Sequence, residues 1–166
     1  MSTKNLHPIL KATLAAAIIV PAVFTIPAAN VEAAAEIQPS VQAPVALTAP
    51  PPEYHNIQSL AQLKYIYNAV GAVTPGGGLT AVVATTTSTY QKMSSIKVDY
   101  RLERWTGTSW VTYRSDSDSA TNVSVLNAKS SWTVITGYYY RVVSTHTVRD
   151  GSTTETTTHT SPSTLF

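Results

Sequence analysis

The sequence predicts an all-β fold, an antiparallel β-sandwich of about seven strands. Residues 96–105, IKVDYRLERW, alternate apolar and polar side chains with the two-residue period of a half-buried strand, which excludes a helix there. Glycine and proline turns recur at spacings of about 8 to 15 residues. No convincing helix interrupts this pattern in the second half of the chain.

The N-terminal segment is predicted to be a secretory signal peptide, residues 1–35. Two lysines precede the apolar stretch 12–28, and small residues follow, with cleavage expected after Ala33 or Ala35. A transmembrane anchor is the alternative, but two prolines break a stretch that is already short. The mature chain is therefore expected to be secreted, with no stable insertion in a membrane.

Composition narrows the classes of function. The chain has 166 residues, enough for one domain of ordinary size. Its 11 basic and 9 acidic residues form no run of like charge, so a nucleic-acid partner is not expected. The absence of cysteine excludes disulfides, thiolate metal ligands and a catalytic thiol.

Residues 36–56 are predicted to be a proline-rich, disordered linker, because proline fixes φ and removes amide donors. The β-sandwich domain is then assigned to residues 57–166. Its first segment, 60–70, has features of both a strand and a short helix. The sequence PGGG at 75–78 predicts a turn, and a strand follows it.

The middle of the domain predicts a hairpin over 96–114. Trp105 and Trp110 flank a glycine turn, and their indoles are expected to meet across it. The Ser/Asp-rich segment 115–122 is interpreted as a loop, with strands resuming after it. Its acidic residues lack the other ligands of a calcium loop, so a solvated turn is expected.

The run GYYYRVVSTHTVRDG at 137–151 predicts a strand and a turn. Tyr138 and Tyr140 share one face and are assigned to the core, whereas Tyr139 lies on the other face beside Arg141. A turn centred on the Asp-Gly pair then leads into STTETTTHT, a threonine-rich strand expected at an edge of the sheet. Such an edge could pair with another chain.

Residues 137–155 resemble the last two strands of immunoglobulin-like and fibronectin type III domains. In those domains a tyrosine near the start of the penultimate strand bonds back to nearby backbone, a role that Tyr138 or Tyr140 would take here. Over 60–166 the order LERWTGTSWVTY, GYYYRVVSTHTV, DGSTTETTT is similar to the domain of unknown function 6147 family of small exported Gram-positive proteins. That resemblance implies a signal peptide and a compact β-domain, without an established activity.

The titratable residues do not form a pattern typical of an enzyme. A two-residue turn at Asp150 and Gly151 would set His146 opposite Glu155, as a cross-strand pair, and His159 opposite Val142. A metal site needs three or four converging ligands, so neither a metal nor another cofactor is expected. No nucleophile motif of a hydrolase accompanies the serines.

The function expected from the sequence is a non-catalytic binding or structural role at the cell surface or outside the cell. The alternative is binding of a cell-wall or extracellular polysaccharide through exposed aromatic rings, and a secreted hydrolase is a more distant one. The side chains proposed to reach the surface are Trp105, Trp110, Tyr113 and Tyr139.

Overall fold

The computed structural model describes residues 43–53 and 60–166. The predicted signal peptide, 1–35, and parts of the predicted linker lie outside the described residues. About 70% of the described residues are in strands and none is in an α-helix, which confirms the all-β class. The strands are β1 (Ile66–Pro75), β2 (Thr80–Trp105), β3 (Trp110–Thr133), β4 (Tyr139–Asp150), β5 (Thr153–Thr160) and β6 (Thr164–Leu165).

Strand β2 has 26 residues and organises one curled antiparallel sheet of six strands within the described residues. One edge of β2 pairs with β3 along a long hairpin, whereas the other edge pairs first with β1 and then with β4. The hairpin changes register between Ser88 and Met93, next to Asn122, whose φ is 56°. Three extra residues of β2 accumulate at this irregularity, and such bulges bend a strand. The sheet curls, and β1 comes to contact β4 and β5.

The turn of the hairpin predicted over 96–114 is confirmed, but the second strand of this hairpin is longer than predicted. Trp105 pairs with Trp110 beside the turn. Residues 115–122 are part of β3, and 115–121 pair with 95–101 of β2, so the interpretation as a loop was wrong. Their side chains are almost all exposed because β3 is an edge strand there, and a solvent-facing edge tolerates serine and aspartate. The segment 60–70 contains both elements, a 3-10 turn at Leu60–Gln62 and the start of β1.

The core lies between the facing parts of the curled sheet. The alternation predicted over 96–105 is confirmed as far as Leu102, because Ile96, Val98 and Leu102 have no exposed surface whereas Lys97 and Asp99 are exposed. It does not hold at Glu103, which is 6% exposed because Arg101 and Arg141 pair with its carboxylate. Tyr140 is also fully buried, and its hydroxyl donates to Ile135 O at 3.2 Å and accepts from Ile135 N at 3.1 Å. Tyr140 therefore makes the predicted bond back to the chain that precedes its strand.

The β4–β5 register differs from the predicted one by two residues. Asp150 pairs with Thr153, so Gly151 and Ser152 form the turn, with Gly151 at φ 57°. His146 consequently lies opposite Thr157 rather than Glu155. The prediction was wrong because Gly151 occupies the first of the two turn positions, as in a type II′ hairpin turn, instead of the second position of a type I′ turn.

Glu155 joins the two ends of the sheet. Its carboxylate accepts hydrogen bonds from the backbone N–H groups of Lys64 (2.7 Å), Tyr65 (3.1 Å) and Ile66 (2.8 Å) at the start of β1. Further along β1, Gly71 N donates to Nδ1 of His159 at 3.0 Å. Side chains of β5 thus satisfy amides of β1 where no strand ladder reaches them.

We expect Glu155→Ala to lower the free energy of unfolding by about 2 to 4 kcal/mol, because it leaves several backbone donors at the start of β1 without their acceptor. Urea denaturation followed by circular dichroism measures the change. Thr156→Ala, at the exposed neighbour on the same strand, is the control and should change stability by less than about 0.5 kcal/mol. Equal losses in both variants would show that the carboxylate does not anchor β1.

Candidate functional site

The indoles of Trp105 and Trp110 form the centre of an aromatic cluster at the turn end of the β2–β3 hairpin. Their ring centroids are 5.3 Å apart with a tilt of 51°, which confirms the predicted contact. Trp105 is only 7% exposed, and its Nε1 donates to the backbone oxygen of Ala49 at 3.0 Å. Trp105 therefore does not offer a free ring face for stacking on a ligand.

Arginine side chains and a buried carboxylate complete this cluster. The guanidinium of Arg141 lies over the ring of Trp110, 4.2 Å from its centroid, and Arg141 Nε donates to Glu103 at 2.8 Å. Arg101 Nε donates to the other oxygen of Glu103, also at 2.8 Å. Glu103 is only 6% exposed, and the two arginines, each donating to one of its carboxylate oxygens, balance its negative charge. The cation covers one face of Trp110, which leaves less of the indole for a sugar.

A cleft of about 240 Å³ opens beside Trp110 and Arg141. Its walls come from the segment before the β-domain, from the β2–β3 turn and from the chain between β5 and β6. The lining residues are Pro51, Pro52, Glu53, Trp110, Arg141, Ser161, Pro162 and Ser163. The cleft presents a glutamate, an arginine, two serines and an indole to a small polar group.

Tyr113 and Tyr139 do not join the tryptophan pair in a shared aromatic platform. Tyr113 packs edge-on against Tyr140 with centroids 5.5 Å apart, and its hydroxyl donates to Thr133 O at 3.2 Å. The guanidinium of Arg114 lies 4.7 Å from its centroid. Tyr139 is half-buried, and its backbone pairs with Leu165 of β6.

The exposed aromatic pair of the described chain is Tyr67 and Tyr90, which the sequence analysis did not single out. Tyr67 is 47% exposed and Tyr90 is 72% exposed, and their ring centroids are 5.0 Å apart. Both lie at the end of the β1–β2 ladder, where Tyr90 N donates to Tyr65 O at 3.0 Å. The sequence gives no signal for this, because residues two apart on a regular strand share a face. Tyr65 is buried and Tyr67 is exposed because the pairing of β1 is irregular between Ile66 and Asn68.

Small side chains extend from this pair along the outer side of three neighbouring strands. Successive cross-strand rows join Val70, Thr86 and Asn127, then Ala72, Ala84 and Lys129. Most of these side chains are exposed, and Thr86 Oγ1 donates to Asn127 Oδ1 at 2.9 Å. Short side chains in register leave a low-relief surface with a single cation in these two rows.

An apolar groove of about 660 Å³ lies at the opposite end of β1. Val45 and Leu47 form one wall, although both remain more than half exposed, and Leu79 is 53% exposed. Val134 and Phe166 form the floor, both buried. Contiguous exposed apolar side chains of this kind mark surfaces that other molecules contact.

A serine and a histidine contact each other in the core, where neither side chain is exposed to solvent. Ser144 Oγ is 2.9 Å from Nε2 of His146, and Thr87 Oγ1 is 2.7 Å from Nδ1 of the same ring. None of the three side chains has exposed surface. Two adaptable hydroxyls satisfy both nitrogens of a neutral imidazole, so this network stabilises the core in the uncharged state.

Burial, and to a smaller extent the nearby His159, lower the pKa of His146 from 6.5 to about 4. The pKa of His159 is itself lowered by burial. On the surface, the hydroxyl of Ser130, donating at 2.7 Å, lowers the pKa of Asp116. Within residues 43–53 and 60–166, no group of three or more histidine, cysteine or acidic side chains could hold a metal ion.

No protein-family model matches the chain, and no curated protein matches it. The described part of the chain contains no helix with the length and apolar character to cross a bilayer.

We expect the unfolding free energy to fall as the pH is lowered from about 6.5 to 4, by about 3 kcal/mol from His146 alone, because only the unfolded chain takes up the proton in that window. Above pH 7 the His146 ring is neutral in both the folded and the unfolded chain, so it adds no pH dependence to the unfolding free energy. Chemical denaturation at a series of pH values measures it, with His146→Gln as the comparison. His159→Gln separates the smaller contribution of the second ring, and parallel curves for wild type and His146→Gln would contradict the assignment.

Proposed function

We propose that this protein is an exported, non-catalytic binding module that acts at the cell surface or outside the cell. The pattern of residues 1–35 supports export. The curled antiparallel sheet and the bond from the Tyr140 hydroxyl back to Ile135 support an immunoglobulin-like or fibronectin type III-like sandwich. The resemblance to the domain of unknown function 6147 family adds a further argument for a small secreted domain.

The ligand in this proposal is an extracellular or cell-wall polysaccharide, and the observation that carries it is the exposed pair Tyr67 and Tyr90. A tyrosine ring has an apolar face and a polar tip, so it can stack on the C–H face of a sugar while its hydroxyl stays hydrated. The two rings lie 5.0 Å apart with a tilt of 43°, so they present two adjoining aromatic faces. The four aromatic residues named from the sequence are instead half-buried or buried.

The surface beside the tyrosine pair suits a polymer better than a small molecule. Its rows of alanine, threonine, valine and asparagine are low and extend along three strands, so a long chain can lie across them without steric obstruction. Hydroxyl and amide groups such as those of Thr86 and Asn127 can exchange hydrogen bonds with sugar hydroxyls. Lys129 provides one positive charge, which favours a neutral or weakly acidic polymer.

The environment of the Ser144–His146 contact supports the non-catalytic part of the proposal. A serine nucleophile and its base must reach a substrate in a cleft. Ser144 and His146 have no exposed surface, and the inner halves of the sheet pack over them. A hydrolase acting through this pair would require the core to open.

We expect the full chain to be retained on at least one of insoluble peptidoglycan, chitin and cellulose, and Tyr90→Ala and Tyr67→Ala each to weaken retention about tenfold, because truncation removes the stacking surface. Depletion of the protein from solution over a range of polymer concentrations gives the affinity. Tyr90→Phe should retain most of the binding, and circular dichroism verifies that each variant is folded.

The matched control is Tyr139→Ala, at a half-buried tyrosine on another strand, which should leave retention unchanged. Loss of retention in Trp110→Ala, with the two exposed tyrosines dispensable, would move the site to the cleft beside Arg141. Failure of the wild-type chain to bind any of the three polymers would refute the polysaccharide proposal.

A further inference from the structure

The proline-rich segment 43–53 was predicted as part of a disordered linker, yet it lies against two glycine turns of the β-domain. Leu47 N donates to Gly137 O at 2.7 Å. A Cβ atom on Gly137 would lie 2.5 Å from Cγ of Leu47, and a Cβ on Gly107 would lie 3.5 Å from Cγ2 of Thr48. Both glycines have positive φ, 83° and 100°, so conformation and close approach each favour glycine there. The turns thus form a low path for an extended chain.

Trp105 binds the backbone of this segment through a hydrogen bond. Its indole N–H donates to the carbonyl of Ala49 at 3.0 Å, and the ring is packed against Trp110. Three prolines follow Ala49 directly, at 50–52. A tryptophan N–H donating to a carbonyl next to prolines, on an aromatic surface, is the arrangement by which domains bind preformed polyproline II segments.

The acidic end of the segment lies beside the cationic end of the aromatic cluster. Pro51, Pro52 and Glu53 line one wall of the cleft whose other walls include Trp110 and Arg141. Pro51 is half-buried, whereas most side chains of the segment remain exposed. The segment is held by the backbone groups of Leu47 and Ala49, by the Leu47 and Thr48 side chains over the glycine turns and by proline rings in the cleft. Because these contacts lie on the surface, the segment can leave without unfolding the sheet.

We propose that the surface formed by Trp105, Trp110, Gly107 and Gly137, here named the Trp105 groove, is a receptor for proline-rich extended peptides, and that its partner in trans is the 43–53 segment of a second copy of this chain. The groove holds this segment in cis, which shows that its sequence fits. A second copy supplies an identical segment and re-forms the same contacts, so exchange requires no new interface.

The tethered segment competes with an added segment for the Trp105 groove, and this competition sets how much the trans affinity can change. A tethered segment acts at an effective concentration of about millimolar, so it lowers the apparent affinity of the groove for any segment added in trans. Opening the groove by weakening the cis contacts should therefore increase trans binding by about tenfold or more. Leu47→Asp is suited to this because Leu47 is 66% exposed and its loss should not unfold the β-domain, while its packing over Gly137 is lost.

The first experiment titrates a fluorescently labelled synthetic peptide of residues 43–53, APVALTAPPPE, into the full-length wild type and into full-length Leu47→Asp. Tighter binding to Leu47→Asp, by about tenfold, is expected. A peptide with alanine at 50–52 is the control for the proline requirement. Trp105→Phe, combined with Leu47→Asp, keeps a ring but removes the N–H donor and should weaken the peptide about fivefold.

The second experiment tests exchange between copies by complementation. Leu47→Asp has an intact groove and a defective segment, whereas Trp105→Phe has an intact segment and a weakened groove. Mixing the two full-length proteins should give a heterodimer in sedimentation velocity, at concentrations where each variant alone is monomeric. Circular dichroism confirms that both variants are folded.

Each remaining outcome contradicts a stated part of the proposal. Equal peptide affinity for wild type and Leu47→Asp, or equal affinity for the alanine peptide, would show that the Trp105 groove is not a receptor for proline-rich segments. Specific peptide binding without a heterodimer would overturn the assignment of a second copy as the partner. Because the groove does not include Tyr67 or Tyr90, these results do not depend on whether the chain binds a polysaccharide.

Discussion

The architecture depends on the length of β2. A strand of 26 residues twists too far to remain in a flat sheet, and the irregularity between Ser88 and Met93 lets it bend instead. Its first part pairs with β1 and its second part with β4, along the same edge. One continuous strand therefore places two sets of partners in different parts of the curl, with the core enclosed between them.

The curl also explains the polar groups inside the domain. Where β1 approaches β5 without a shared ladder, backbone amides need other acceptors, and Glu155 and His159 provide them. Ser144 and Thr87 similarly partner the ring of His146 in the interior. Position 71 at this closure favours glycine, because a Cβ atom there would lie only 3.0 Å from Ser144 Oγ. The interior is thus held by specific hydrogen bonds as well as by apolar burial.

Local patterns predicted the strands well and their long-range arrangement poorly. The period of two over 96–105 and the tryptophans beside a glycine turn gave the hairpin, since both are properties of neighbouring residues. Composition misassigned 115–122, because an edge strand exposed to solvent can have the residues of a loop. Among the aromatic residues named as candidates, Trp105 is buried and donates to Ala49, which is distant in the chain. Tyr67 and Tyr90 meet only through pairing of β1 with β2.

The positions of the tryptophans have a spectroscopic consequence. All three lie on the β2–β3 hairpin, Trp105 and Trp110 beside its turn and Trp132 opposite Ala81 near its open end. Tryptophan fluorescence thus records the two ends of one hairpin. Arg141, whose guanidinium lies against the Trp110 ring, and the carbonyl of Ala49 make the emission of the turn end sensitive to the seating of the proline-rich segment. The protein therefore contains its own optical reporter of that segment, without any added label.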